Sequence, residues 1–153
     1  MQTSQPLIRI SVPDQRLDLL CGESILASFP VSTSRFGLGF EEGSLQTPVG
    51  KFKIGEKIGA GAPSGTVFRD RIPLALDQAP PPNDDLVLSR ILWLDGLEER
   101  NANTRDRFIY IHGTNHEEEI GRPASHGCIR MKNADLIALF DRVPLGAEVV
   151  IES

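Results

Sequence analysis

Apolar residues in this chain recur at every second position in one segment after another and at helical spacing in only one, so the chain is committed to a sheet-rich fold. Ile8, Ile10 and Val12 alternate with Arg9 and Ser11, and Leu17 and Leu19 flank Asp18. Pro13-Asp14-Gln15 between them supplies turn chemistry, which makes this stretch a hairpin. A second turn at Gly22-Glu23 leads to residues 24–31, where Ile25, Ala27, Phe29 and Val31 are expected to share one face. Thr47-Pro48-Val49-Gly50 introduces a strand over 51–54. Residues 86–94 read as a buried strand, 108–111 as a short one ending at His112-Gly113, and 147–152 as the last. Helical spacing appears over 133–143 through Leu136, Leu139, Phe140 and Val143, with Asn133 expected as N-cap and Pro144 and Gly146 as stops. The expectation is a mainly β fold with one clear helix near the C-terminus.

At 153 residues, 40% hydrophobic and 24% charged, the chain reads as one globular domain over 1–153 that can bury a core. A formal net charge of -5 gives no basic field for nucleic acid or an anionic membrane surface, so any cationic site must be local. No apolar run approaches the roughly 20 residues that span a bilayer, so membrane insertion is not expected. The first residues lack a signal-peptide pattern; the expected location is cytoplasmic if this start is native and periplasmic if it is not. The Gly- and Pro-rich stretch 55–85 reads as a binding loop or lid over a site rather than a linker.

All three histidines, His112, His116 and His126, fall in one short window with Cys128, one of two cysteines. Three readings compete: a thiol nucleophile with a histidine base, a metal site, and ordinary surface or core histidines. A thiol attacks carbonyls as thiolate and needs a base. His112 ends an apolar strand that can aim its ring, and Gly113 lets the chain turn away. In Ser125-His126-Gly127-Cys128-Ile129-Arg130, Gly127 permits close approach of a carbonyl, and the N–H groups around Gly127 and Cys128 are candidate oxyanion donors. Arg130 is a candidate to favour thiolate or to grip a substrate carboxylate. His126 reads either as a positioning residue or as a participant in transfer.

Blander assignments stand beside these. A zinc site from His112, His116, His126 and Cys128 has suitable donors, but the spacing crosses a glycine and leaves a strand, so neither metal nor cofactor is expected. His116 beside Glu117-Glu118-Glu119 reads as part of a solvated face. Cys21 reads as a small buried hydrophobe. Arg35, Lys57, Arg69 and Arg71 read as surface charges, with carboxylate recognition as the functional alternative.

Ile111-His112-Gly113-Thr114, followed by Ser125-His126-Gly127-Cys128-Ile129-Arg130-Met131, resembles the active-site signature of the YkuD-type L,D-transpeptidases. Thr47-Pro48-Val49-Gly50-Lys51-Phe52 is similar to that family's Thr-Pro-x-Gly-x-Phe segment, and Pro30-Val31-Ser32-Thr33 fits its opening meander. The resemblance runs from about Leu7 to Ile151. It implies the family's β-sandwich or mixed-sheet catalytic fold, with Cys128 as nucleophile, His112 as base and the Gly113 carbonyl orienting the imidazole. Ser125, His126 and Gly127 would shape the oxyanion and substrate site, and Arg130 stands where many members carry Asn. The implied substrate is a peptidoglycan stem peptide or muropeptide, attacked at the diaminopimelate–D-alanine bond to give a thioester. An amine acceptor would then cross-link stems, whereas water would trim them, the outcome expected of a cytoplasmic carboxypeptidase of recycled muropeptides. A wall-binding module without turnover is the remaining alternative.

Overall fold

The computed structural model describes residues 5–78, 80 and 84–153. The alternating segments form β1 (Pro6–Ser11), β2 (Arg16–Cys21), β3 (Ser24–Ser32), β4 (Gly50–Ile58), β5 (Val67–Arg69), β6 (Ile72–Pro73), β7 (Val87–Gly96), β8 (Tyr110–Gly113), β9 (Ile129–Met131) and β10 (Glu148–Glu152). The one α-helix among the described residues, α1 (Asn133–Arg142), falls where helical spacing predicts it. Strand order is β4-β10-β1-β2-β3-β9-β8-β7-β5-β6, and β4 also pairs with β7, so the sheet curls round and closes on itself. It is a mixed sheet: β1 with β10 and β8 with β9 are parallel, and the other pairs antiparallel.

Closure puts the apolar members of each alternation into a common interior. Ile8, Ile10, Leu17, Leu19, Val31, Phe52, Ile54, Leu94, Ile111, Ile129 and Met131 are at most 1% exposed there, joined by Leu136, Leu139 and Phe140 from α1. Burying each such side chain contributes about 1.5–3 kcal/mol. At the far end of α1, the Lys57 ammonium donates to the carbonyls of Phe140 and Val143, both at 2.7 Å. These are carbonyls a helix end leaves without intrahelical partners, and a cation there also suits the helix dipole.

Three expectations change. Ile25 does not join Ala27, Phe29 and Val31 inside. A bulge pairs Leu19 with Ala27 but Leu20 with Ile25, which shifts the strand's phase and leaves Ile25 57% exposed. Asn133 is the first residue of α1 and Lys132 holds the cap position. The first helical N–H is satisfied instead by the Glu117 carboxylate at 2.7 Å, which also favours the positive end of the helix. The stretch 55–85 is more ordered than its composition suggests: 55–58 continue β4, β5 and β6 form a hairpin on β7, and Leu76–Gln78 makes a 3-10 turn. Positions 79 and 81–83 of that stretch lie outside the described residues. Among the described residues, no helix is long and apolar enough to cross a membrane.

Candidate active site

Parallel pairing of β8 and β9 sets Ile111 opposite Ile129 and His112 opposite Arg130. Alternation then sends Ile111, Ile129 and Met131 into the main core and turns Tyr110, His112, Cys128 and Arg130 to the other face. Cys128 stands one step before β9, next to Tyr110, whose N–H donates to Sγ at 3.4 Å; Sγ in turn donates to the Phe108 carbonyl at 3.3 Å. His112 stands two positions beyond Tyr110 on β8, on the same face as Cys128.

His112 is 3% exposed, and its Nδ1 lies 2.5 Å from the Gly113 carbonyl. A carbonyl only accepts, so Nδ1 carries the proton and Nε2 is the basic nitrogen. Gly113 itself admits no side chain: a Cβ there would sit 2.7 Å from the Leu88 carbonyl oxygen. Burial pushes the His112 pKa down against the opposing pull of the Gly113 carbonyl. Burial also pushes the Cys128 thiol up to about 11, with the Tyr110 N–H only partly offsetting it. At rest the pair is therefore neutral imidazole and neutral thiol.

The loop carrying the thiol is braced from below. Ser125 is fully buried; its hydroxyl donates to the Cys128 carbonyl at 2.6 Å and accepts the Gly127 N–H at 3.3 Å. Gly127 has φ +122, which disfavours any L side chain. Its carbonyl accepts from the Thr47 hydroxyl at 2.9 Å, and that hydroxyl accepts the Ser34 N–H at 3.0 Å. Thr47 thus ties the Thr-Pro-x-Gly-x-Phe segment to the cysteine loop across 80 residues of sequence. Two expectations are corrected here. Ser125 braces the loop from a fully buried position instead of lining a cleft, and the Gly127 N–H is directed to Ser125, not outward as an oxyanion donor.

Arg130 is brought to the site but 2% exposed, so it does not reach out to grip a substrate. Its guanidinium meets Asp85 at 2.9 Å and Glu119 at 3.0 Å, and its Nε is buried without a hydrogen-bond partner. Asp85 also receives His126 Nδ1 at 3.1 Å. Burial alone would raise the Asp85 carboxyl, but hydrogen bonds from Arg130 and His126 outweigh it and hold it below the usual carboxylate range. His126 is thereby oriented at the cavity mouth beside Cys128. Sequence reasoning missed Asp85 and Glu119. Glu119 belongs to a run that reads as solvated, yet Glu117 caps α1 and Glu119 pairs with Arg130. The available signal was that an arginine at a strand position needs carboxylates when buried; nothing local marks Asp85.

Two cavities flank the thiol. One, about 310 Å3, is lined by Leu45, Arg107, Phe108, His126 and Cys128 among others. The second, about 250 Å3, lies beyond Phe108 and Tyr110 under the β5–β6 hairpin. Phe36, Leu45 and Phe108 are all more than 40% exposed around this region, an apolar rim suited to a ligand. Arg107 donates to the carbonyls of Gly39 and Gln46 and so holds the loop that forms one wall. A larger cavity of about 680 Å3 lies elsewhere, by Pro6, Gly22 and Leu145, and no cysteine or histidine lines it. His116, Glu118 and Glu119 place ligand-type atoms within 4.8 Å of one another, the one such group among the described residues; His112, His126 and Cys128 are not in it. No disulfide joins Cys21, half-buried at the end of β2, to Cys128.

A sheet of this topology with a strand-end histidine beside a loop-borne cysteine defines a class, and the sequence comparisons supply it. Residues 5–151 match the family described as YkuD, L,D-transpeptidase catalytic domain, and the chain belongs to that family. It is 54% identical over 145 residues to the putative L,D-transpeptidase YkuD of Bacillus subtilis, covering 94% of this chain and 64% of that protein. It is 48% identical over 52 residues to the putative L,D-transpeptidase YqjB of the same organism, covering 33% of this chain and 30% of that one. The match thus spans less than two thirds of either relative's length. An L,D-transpeptidase structure from Mycobacterium smegmatis shares the fold at TM-score 0.67 and 15% identity, over 98% of this chain and 59% of that one.

Proposed function

We propose that this chain is a cysteine acyltransferase acting on peptidoglycan stem peptides at the diaminopimelate–D-alanine bond. The observation that carries the reading is the β8–β9 register, which sets the Cys128 thiol and the basic Nε2 of His112 on one sheet face beside two cavities. Family membership supports the substrate class.

Because both groups are neutral at rest, proton transfer accompanies attack. Sγ bonds to the carbonyl carbon as His112 Nε2 takes the thiol proton, and the Cys128 backbone N–H is the donor this reading leaves for the developing oxyanion. The C–N bond then breaks, His112 returns the proton to the departing D-alanine amine, and a Cys128 thioester remains. An amine from a second stem completes cross-linking, whereas water completes trimming; His112 activates either. Asp85 and Arg130 hold His126 at the mouth. A related L,D-transpeptidase has been solved with imipenem, so covalent capture by a carbapenem at Cys128 belongs to the same reading.

Incubation with a tetrapeptide stem, with and without a second stem, tests it by mass. Free D-alanine with a tripeptide means trimming, and a dimer means cross-linking. Stem binding with no product and no thioester on Cys128 would leave a wall-binding module and end the acyltransferase reading.

A further inference from the structure

β7 interrupts its pairing with β8 where the histidine stands. Leu88 faces Gly113 and Ile91 faces His112, so Ser89 and Arg90 are inserted opposite no residue of β8. Ser89 is fully buried at φ +72, a left-handed conformation that serine adopts at a cost glycine would avoid. What serine adds there is a hydroxyl, which accepts the Gly65 N–H at 2.9 Å and donates to Asn133 Oδ1 at 2.6 Å. The Asn133 carboxamide is used at its other end too: Nδ2 donates to the Thr114 carbonyl and to the Glu117 carboxylate, both at 2.9 Å. An aspartate of the same shape would set a carboxylate against that carbonyl and a second carboxylate, so the amide is chemically specified.

Thr114 is fully buried and follows Gly113 in the chain. A planar peptide unit points its carbonyl where the residues on either side hold it. On the Thr114 side the holder is Asn133; on the Gly113 side Asn133 Oδ1 and the Leu88 carbonyl fill the space a side chain would take. The Gly113 carbonyl, which keeps the His112 proton on Nδ1, is thus gripped from both sides. We propose that Asn133 and Ser89 are positioning residues for acyl transfer: they hold the Gly113 carbonyl and, through it, keep His112 in the tautomer whose Nε2 is free to take the thiol proton. The inference rests on the acyltransferase reading and deepens it, because the aim of the base then depends on α1 and on the Gly65 loop as well as on its own strand. The strained conformation of Ser89 is part of that device.

The test reads tautomer and rate separately. Heteronuclear NMR of histidine-labelled protein, at a pH where the ring is neutral, reports which nitrogen of His112 carries the proton; mass-resolved kinetics on a tetrapeptide stem give kcat and KM. The unaltered protein is expected to show the Nδ1–H tautomer alone. Ser89→Gly relieves the backbone conformation, which favours folding, and removes only the hydroxyl; Asn133→Ala removes the amide, and Asn133→Asp keeps its shape but reverses one end. Each should mix the two tautomers and lower kcat by about ten- to hundredfold, with KM within about twofold. The Ser89→Gly/Asn133→Ala double variant should lose no more than Asn133→Ala alone, since the two side chains act as one unit. An unmixed Nδ1–H tautomer in Ser89→Gly, a kcat there within about twofold of the unaltered protein's, or additive losses in the double variant overturns the proposal. Mixed tautomers in these variants, with no thioester on Cys128 from any stem in the unaltered protein, leave the positioning role standing and overturn the acyltransferase reading instead.

Discussion

The two faces of β8 and β9 are built from alternate residues of the same short strands and obey opposite rules. On one face Ile111, Ile129 and Met131 are fully buried among aliphatic neighbours, where each contact is replaceable by another of similar volume. On the other, His112 and Arg130 are nearly as buried, 3% and 2% exposed, but each is tied to specific partners: Gly113, Asp85 and Glu119. Burial of hydrocarbon stabilises without direction, whereas burial of an imidazole or guanidinium is tolerable only when hydrogen bonds fix its geometry. Depth on the first face therefore serves stability, and depth on the second serves aim.

Substitutions that separate the faces test this contrast. Cys128→Ala should cut turnover on a stem tetrapeptide by at least ~1,000-fold, and His112→Gln by ~100- to 10,000-fold, both with urea midpoints near the unaltered protein's. Cys21→Ala should leave turnover within about twofold; equal losses from the two cysteine changes would break the contrast. Arg130→Met should destabilise by about 3–5 kcal/mol in urea unfolding, since it strands two carboxylates around an apolar side chain. Ile129→Ala, next to it on the opposite face, should cost about 2–5 kcal/mol through its cavity yet keep its residual turnover number in the folded fraction. A large fall in that number would show that the two faces are not separable.

The pH dependence is the smallest effect. His112 has its folded pKa below the ordinary 6.5, so the unfolded chain binds a proton that the folded chain refuses as pH drops through 6.5. The stability it contributes is full above that value and is lost progressively below it, down to the folded pKa. Urea midpoints taken from pH 7.5 to 5 should fall for the unaltered protein and fall less for His112→Gln; parallel curves would remove His112 from the account. Asp85, lowered likewise, loses its contribution only nearer its ordinary value of 3.8 and below.

Much of this site was legible in the residues. The pairing of a strand-end histidine and glycine with a Ser-His-Gly-Cys loop is local, and its chemistry follows from side-chain type. The role of Thr47 was visible only as a motif, because its partner Gly127 lies across the fold. Arg130 lies near the thiol in sequence, but its burial reversed the expected contact: no pattern in Ile-Arg-Met says which face is covered. The Gly- and Pro-rich stretch hid the β5–β6 hairpin because its strands are too short, three and two residues, for periodicity to register.

What the sequence determined by itself is what depends on neighbours along the chain: the period-two strands, the helix near the C-terminus, and the candidate thiol and base in one short window. Only the tertiary structure decided what depends on distant segments meeting: the closure of β4 on β7, the commitment of Asp85 and Glu119 to Arg130, and the descent of Arg71 onto Tyr110. The physical reason is that backbone sterics and side-chain periodicity act over a few residues, whereas the pairing of buried charges is enforced by desolvation, which exists only once the chain has closed around them.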